Sequence, residues 1–285
     1  MKRQDAFVET VWLANHLADP QVRVLDASWH LPGSDREGWA EYLEAHVPGA
    51  GFFDLDRISD ADSPYPHMLP KEEDFARHMR RLGLADHHRV VVYDTGGVHA
   101  AVRAFWTFKV FSHDQVRILD GGLEKWVREG RPLEAGHSDV AAGHFSARLK
   151  PEMVASKDDV LQAVERRSSE ILDARSAGRF FAREPEPRPG VRGGHMPGAR
   201  NLHYASLFSD DGTLADERRL EEIFGGLGMD PQKPVITSCG SGVTAAIVAL
   251  GLNLLGREDV RVYDGSWVEW GSDPAMPVVS EEAES

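Results

Sequence analysis

Val235-Ile-Thr-Ser-Cys239-Gly-Ser-Gly-Val-Thr-Ala-Ala-Ile-Val-Ala-Leu-Gly-Leu-Asn-Leu-Leu255 joins a short apolar run to a longer one through a glycine-rich loop. The spacing predicts a buried strand over 235–238 and an apolar helix over 244–255, with Cys239 on the loop between them. Val90-Val-Val-Tyr-Asp94-Thr-Gly-Gly-Val-His-Ala has the same grammar and leads into an apolar helix over 100–111. Further short strands fall at 22–25, 116–119, 171–172 and 260–263, the first and third ending at Asp and the other two at Asp-Gly. Strands that alternate with helices imply parallel α/β sheets, with functional loops at the carboxyl ends of the strands.

The chain repeats itself. Val24-Leu-Asp-Ala-Ser recurs as Ile171-Leu-Asp-Ala-Arg, and His46-Val-Pro-Gly-Ala as His195-Met-Pro-Gly-Ala. Ile118-Leu-Asp-Gly-Gly-Leu-Glu-Lys-Trp recurs as Val262-Tyr-Asp-Gly-Ser-Trp-Val-Glu-Trp. The spacings are 147 (26 to 173), 149 (46 to 195) and 144 (120 to 264). Three landmarks in one order at nearly one spacing indicate a duplicated domain. The expected division is a first copy over 1–137, a linker over 138–152 where periodicity fails, and a second copy over 153–285. His46 and His195 stand before Pro-Gly in both copies, so they are read as parts of a turn and not as catalysts.

The chain has 285 residues, 41% hydrophobic and 27% charged, with a net charge of -14. That balance suits two globular domains and disfavours binding to nucleic acid or an anionic membrane surface. Asp5 and Glu9 interrupt the stretch where a signal peptide needs its apolar run. Residues 234–256 carry no charge, but the polar loop at 238–242 splits them into pieces far below the roughly 20 apolar residues of a spanning helix. A soluble, cytoplasmic protein is the expectation. One cysteine permits no internal disulfide or Cys-x-x-Cys pair. The 13 histidines show no helical His pair joined to a carboxylate, so no metal is expected.

A thiol must ionise to act as a nucleophile. The start of the helix near Thr244 and the N–H groups of a curled loop can stabilise a sulfur anion at Cys239. Glycines at 240 and 242 let the backbone close on a ligand. A lone cysteine is more often a small buried hydrophobe, but a strand–Cys–Gly-x-Gly–helix context favours catalysis. In the first copy Asp94 stands where Cys239 stands in the second, and a carboxylate cannot accept sulfur. Cysteine phosphatases place an Arg on such a loop to clamp phosphate; Ala245 and Ala246 occupy those positions here.

Duplicated α/β halves, a cysteine-less first copy and the loop Cys239-Gly-Ser-Gly-Val-Thr-Ala resemble the tandem rhodanese superfamily over nearly the whole chain, and within it the mercaptopyruvate sulfurtransferase branch. The resemblance implies two rhodanese-like domains, each a parallel sheet flanked by helices. It implies transfer of sulfur from 3-mercaptopyruvate through a Cys239 persulfide, with Gly240, Gly242, Val243 and Thr244 cradling the substrate and no separate cofactor. Residues 175–200 hold six Arg and two Glu; Arg179 and Arg188 match the residues that hold the substrate carboxylate and carbonyl. Asp56 and His67 match a relay to Ser241, which follows triad logic across the two domains. The implied acceptor is a thiol such as thioredoxin or glutathione, with cyanide as a laboratory substitute. Thiosulfate-using rhodaneses carry basic residues just after the cysteine, where Gly240 and Ser241 supply none. A thiosulfate:cyanide sulfurtransferase is therefore the alternative, and a non-catalytic rhodanese-like binding module the next.

Overall fold

The computed structural model describes residues 1–97, 99–138 and 140–280. They form two compact units, one of residues 1–62, 69–150 and 208–214, the other of residues 63–68, 151–207 and 215 onward.

In the first unit the strands are β1 (Phe7–Val8), β2 (Val22–Asp26), β3 (Gly51–Phe52), β4 (Arg89–Tyr93) and β5 (Val116–Leu119). In the second they are β6 (Val154–Ala155), β7 (Glu170–Asp173), β8 (Arg200–Asn201), β9 (Val235–Ser238) and β10 (Val260–Tyr263). The sheets run β1-β5-β4-β2-β3 and β6-β10-β9-β7-β8, the same permutation twice. Every pairing is parallel. The two halves therefore share a fold as well as a sequence pattern.

All four β9 residues are buried, as are eight of the ten positions in the following helix, Ala245–Leu254. A helix covered on nearly every side needs no polar face, which accounts for the uncharged stretch. No helix among the described residues is long and apolar enough to cross a membrane. The terminal tryptophans of the repeated motif do equivalent work in each unit. Trp126 Nε1 donates to the Pro132 carbonyl and Trp270 Nε1 to the Pro277 carbonyl, both at 2.8 Å, so each buried indole keeps its N–H satisfied.

The two motif histidines are structural. His46 stacks on Tyr42 with its Nδ1 2.7 Å from the Tyr42 carbonyl. His195 stacks on Phe180 with its Nδ1 2.9 Å from the Phe180 carbonyl. Each backbone also forms an isolated antiparallel bridge, to Glu134 and to Val279.

From β7 the chain moves outward to β8, then returns to β9 and proceeds the other way to β10. The direction reverses between β7 and β9. In parallel α/β sheets, ligands bind beyond the carboxyl ends of the strands at such a switch point. Asp173 ends β7 and Cys239 follows β9, so both lie at that position in the second unit.

Candidate active site

Cys239 is 2% exposed, and Ser241, Val243 and Thr244 are also buried. The loop is fastened from below by the start of the helix Ser266–Ser272: Trp267 N donates to the Cys239 carbonyl and Val268 N to the Gly240 carbonyl, both at 2.9 Å. In a trans peptide the N–H points opposite to the C=O, so the N–H groups of Gly240 and Ser241 point away from that helix. Ser266 Oγ accepts from Cys239 N at 3.2 Å, donates to the Tyr263 carbonyl at 2.8 Å, and lies 4.0 Å from Cys239 Sγ. Ser266 holds this place at φ +49°, a left-handed conformation uncommon outside glycine. Gly242, at φ +79°, makes the loop's own reversal without that cost.

The equivalent loop of the first unit is closed upon itself. Asp94 Oδ1 accepts from Gly96 N at 2.9 Å and Oδ2 from Ala101 N at 2.7 Å. Leu123 N holds the Asp94 carbonyl at 2.9 Å, as Trp267 N holds that of Cys239. Arg36 Nη2 donates to the Thr95 carbonyl and hydroxyl at 3.3 and 3.1 Å, and Glu41 binds Arg36 through two hydrogen bonds of 2.6 and 2.9 Å. Burial alone would raise the Glu41 carboxyl, but hydrogen bonds from Arg36, Thr95 and His30 outweigh it and hold the pKa at about 2. Here a carboxylate takes up N–H groups that a bound anion would otherwise use.

His67 belongs to the second unit. Its Nδ1 lies 2.9 Å from Ser241 Oγ, and its side chain is buried. Asp56 belongs to the first unit, where Trp29 Nε1 reaches both of its carboxylate oxygens at 3.3 and 3.2 Å.

Arg179 sits on the short helix Ala177–Phe180, whose N-cap Ser176 Oγ accepts from Arg179 N at 3.3 Å. Its guanidinium lies against Gly240, where a Cβ would come within 2.9 Å of Nη2. Glu186 binds the other side, with Arg179 Nη2–Oε2 2.6 Å and Nε–Oε1 3.3 Å. Arg175 Nη1 also donates to Glu186 Oε1 at 2.7 Å. Arg175 in turn donates to both oxygens of Asp173 and to the Gly194 carbonyl, with its guanidinium carbon 4.3 Å from the centre of the Trp267 ring. Burial opposes the Arg175 charge, but Asp173 and Glu186 outweigh burial and raise its pKa further above the ordinary guanidinium value.

The arginine-rich segment is thus less positive than its count suggests. Arg175 is neutralised by Asp173, which lies outside the segment, and Arg179 shares Glu186. Arg192 is committed to the carbonyls of Trp270, Gly271, Asp273 and Met276. Arg183 is exposed and lies over Phe181. Arg188 is half-buried.

Sequence reasoning did not single out Ser266, Glu186 or Tyr204. Burial, then interaction with Cys239, push the Tyr204 phenol above its ordinary pKa, while Arg179 pulls it back. That places the ring in the field of both groups. Its backbone N–H is fixed to the Ala174 carbonyl at 3.1 Å, just beyond β8. The repeated Asp-Gly turn, followed by Ser266 in the second copy alone, and the Glu184-Pro-Glu-Pro string were the only signals near Ser266 and Glu186. Nothing comparable marks Tyr204. Among the described residues there is no cluster of three or more His, Cys, Asp or Glu that could hold a metal.

The rhodanese-like domain model matches residues 9–129 and 156–273. The 3-mercaptopyruvate sulfurtransferase of Escherichia coli K12 is 45% identical over 273 residues, covering 95% of this chain and 97% of that one. The human 3-mercaptopyruvate sulfurtransferase is 42% identical over 271 residues, covering 93% and 91%. The crystal structure of SseA from Escherichia coli, described as a 3-mercaptopyruvate sulfotransferase, superposes with a TM-score of 0.85 at 42% identity, covering 94% of this chain and 99% of its own.

Proposed function

The chain belongs to the rhodanese family, and on that premise we propose that it moves the sulfur of 3-mercaptopyruvate through Cys239 to a thiol or cyanide acceptor. The observation that carries this reading is the 2.9 Å contact between His67 Nδ1 and Ser241 Oγ, two positions after the nucleophile. A thiol donor carries a proton that must reach the product carbon, and a hydroxyl paired with an imidazole can pass one.

The Cys239 thiolate attacks the thiol sulfur of the donor. As the S–S bond forms, the C–S bond breaks and its electron pair passes to the substrate as the enolate of pyruvate. The proton of the donor thiol moves by Ser241 and His67 to the enolate carbon, giving pyruvate and a Cys239 persulfide anion. In this relay Asp56 has the role of orienting the imidazole, on the strength of the family resemblance. Arg179 and Arg188 hold the carboxylate and carbonyl of the donor, and Arg179 is placed for this by its seat against Gly240. The N–H groups of 240–244, including those of Gly242, Val243 and Thr244, stabilise the sulfur anion before and after transfer. A thiol such as thioredoxin or glutathione then takes the outer sulfur and returns Cys239 as thiolate. The self-capped Asp94 loop gives the first copy a non-catalytic role.

Steady-state transfer to cyanide from 3-mercaptopyruvate and from thiosulfate, with Cys239→Ser as blank, tests the reading. A strong preference for mercaptopyruvate and an inert variant are expected. A preference for thiosulfate would transfer the assignment to a thiosulfate:cyanide sulfurtransferase.

A further inference from the structure

Asp173, Arg175, Glu186 and Arg179 form a continuous chain of ion pairs at 2.6, 2.7 and 2.6 Å. Exposure rises only at the end of the chain. The side chains of Asp173, Arg175 and Glu186 are 2%, 0% and 4% exposed, that of Arg179 18%. Two carboxylates face two guanidiniums, so the network is neutral. Its one accessible member is the arginine that touches the Cys239 loop.

We propose that Glu186 is a positioning residue that sets donor selectivity: it aims Arg179 and cancels its net charge, so that the site favours a keto-monocarboxylate over a compact dianion. The inference rests on the reading of Arg179 as a donor-binding group. Glu186 is built for the task. Pro185 and Pro187 flank it, fixing φ on one side and holding Glu186 itself out of the helical region on the other. Its two oxygens are divided, one to Arg175 and Arg179 Nε and one to Arg179 Nη2. Arg175 is anchored independently by Asp173, Gly194 and Trp267, so the carboxylate rests on a support that does not depend on Arg179. An unopposed Arg179 would attract any anion, and a dianion twice as strongly as a monoanion. With Glu186 in place, directional hydrogen bonding outweighs net charge, which suits a planar carboxylate–carbonyl donor.

Glu186→Gln and Glu186→Asp separate the two roles. Arg175 keeps its pair with Asp173 in both variants, and the melting temperature of each is read alongside its kinetics. Glu186→Gln removes the charge. The ratio of kcat/KM for mercaptopyruvate to that for thiosulfate is expected to fall about tenfold, since one uncancelled charge near a partly screened site is of that order. The gain on thiosulfate should fade as salt is raised. Glu186→Asp keeps the charge but shortens its reach, so both donors should lose kcat/KM while their ratio stays near that of wild type. Equal losses for the two donors in Glu186→Gln would overturn the inference and leave Glu186 a merely structural residue. A wild-type enzyme that preferred thiosulfate would overturn the donor assignment instead; a further shift towards thiosulfate in Glu186→Gln would still support the charge role.

Discussion

His67 Nδ1 lies 2.9 Å from Ser241 Oγ although 174 positions separate the two residues in the chain. His67 is held at φ +62°, a conformation that costs a non-glycine residue about 1–3 kcal/mol and persists only where its surroundings over-determine it. Both side chains are buried, so a proton passed between them has little competition from solvent.

Removing either partner should therefore damage proton transfer more than sulfur transfer. Ser241→Ala and His67→Gln are expected to lower kcat with 3-mercaptopyruvate by about 100-fold or more, the usual scale of general acid–base assistance. Thiosulfate releases sulfite without moving a proton to carbon, so its kcat should fall far less. Parallel steady-state assays check this, and an equal loss on both donors would remove the relay.

Asp94→Ala tests the self-capped loop of the first unit. The substitution strips Gly96 N and Ala101 N of their acceptors in a region where Asp94 is only 5% exposed. Leaving buried N–H groups unpaired costs about 1–3 kcal/mol. Denaturant unfolding should register that loss while kcat with mercaptopyruvate stays at the wild-type level.

Asp26 makes stability depend on pH. It occupies the place that Asp173 holds in the second unit, but Ser28 stands where Arg175 would balance it. Burial raises its pKa to about 6, opposed only in part by hydrogen bonds from Ser28 and Tyr93, and repulsion from Asp94 adds to the rise. A carboxyl whose folded pKa exceeds its unfolded value near 3.8 adds stability that is complete below about pH 4 and is lost as pH rises through about 6. Asp26→Asn, which cannot ionise, should therefore gain on wild type by about 2–3 kcal/mol between pH 4 and 7.5. Urea melts of both proteins across that range check it; a constant difference would mean that Asp26 is not buried as its carboxyl.

The three central strands of each sheet and the apolar helices after β4 and β9 were legible because their burial is written into local composition, whereas the two-residue strands β1, β3, β6 and β8 are too short to carry a pattern. Val235–Ser238 and Ala245–Leu254 differ from what periodicity predicts by one residue at most at each end. The duplication was legible because the Asp-Gly turns and the indole-bearing helices perform the same packing twice. Side-chain pairing was not. Six arginines and two glutamates between 175 and 200 read as net positive charge, and only the fold shows that Asp173, just outside, balances Arg175. Ser266 escaped notice because its role depends on a left-handed backbone under Cys239, which an Asp-Gly-Ser string does not specify. His67 was reachable only through the family resemblance, since residues 63–68 lie far in sequence from the rest of the second unit.

Gly240→Ala probes the seat of Arg179 directly. The added Cβ would come 2.9 Å from Nη2 and 3.6 Å from Nη1, too close for the guanidinium to stay in place. The far end of a free arginine would swing aside at little cost. This one is tied to Glu186, and through it to Arg175, so displacement must break a part-buried charge-assisted hydrogen bond or tilt the whole network. The sulfur, the hydrogen bond from Trp267 N to the Cys239 carbonyl and the Ser241–His67 pair are untouched by that shift. KM for 3-mercaptopyruvate should therefore rise about tenfold or more, the scale of one weakened charged hydrogen bond, while kcat at saturation changes much less. A fall in kcat at unchanged KM would place Arg179 in the chemistry of the sulfur and not in the grip on the donor.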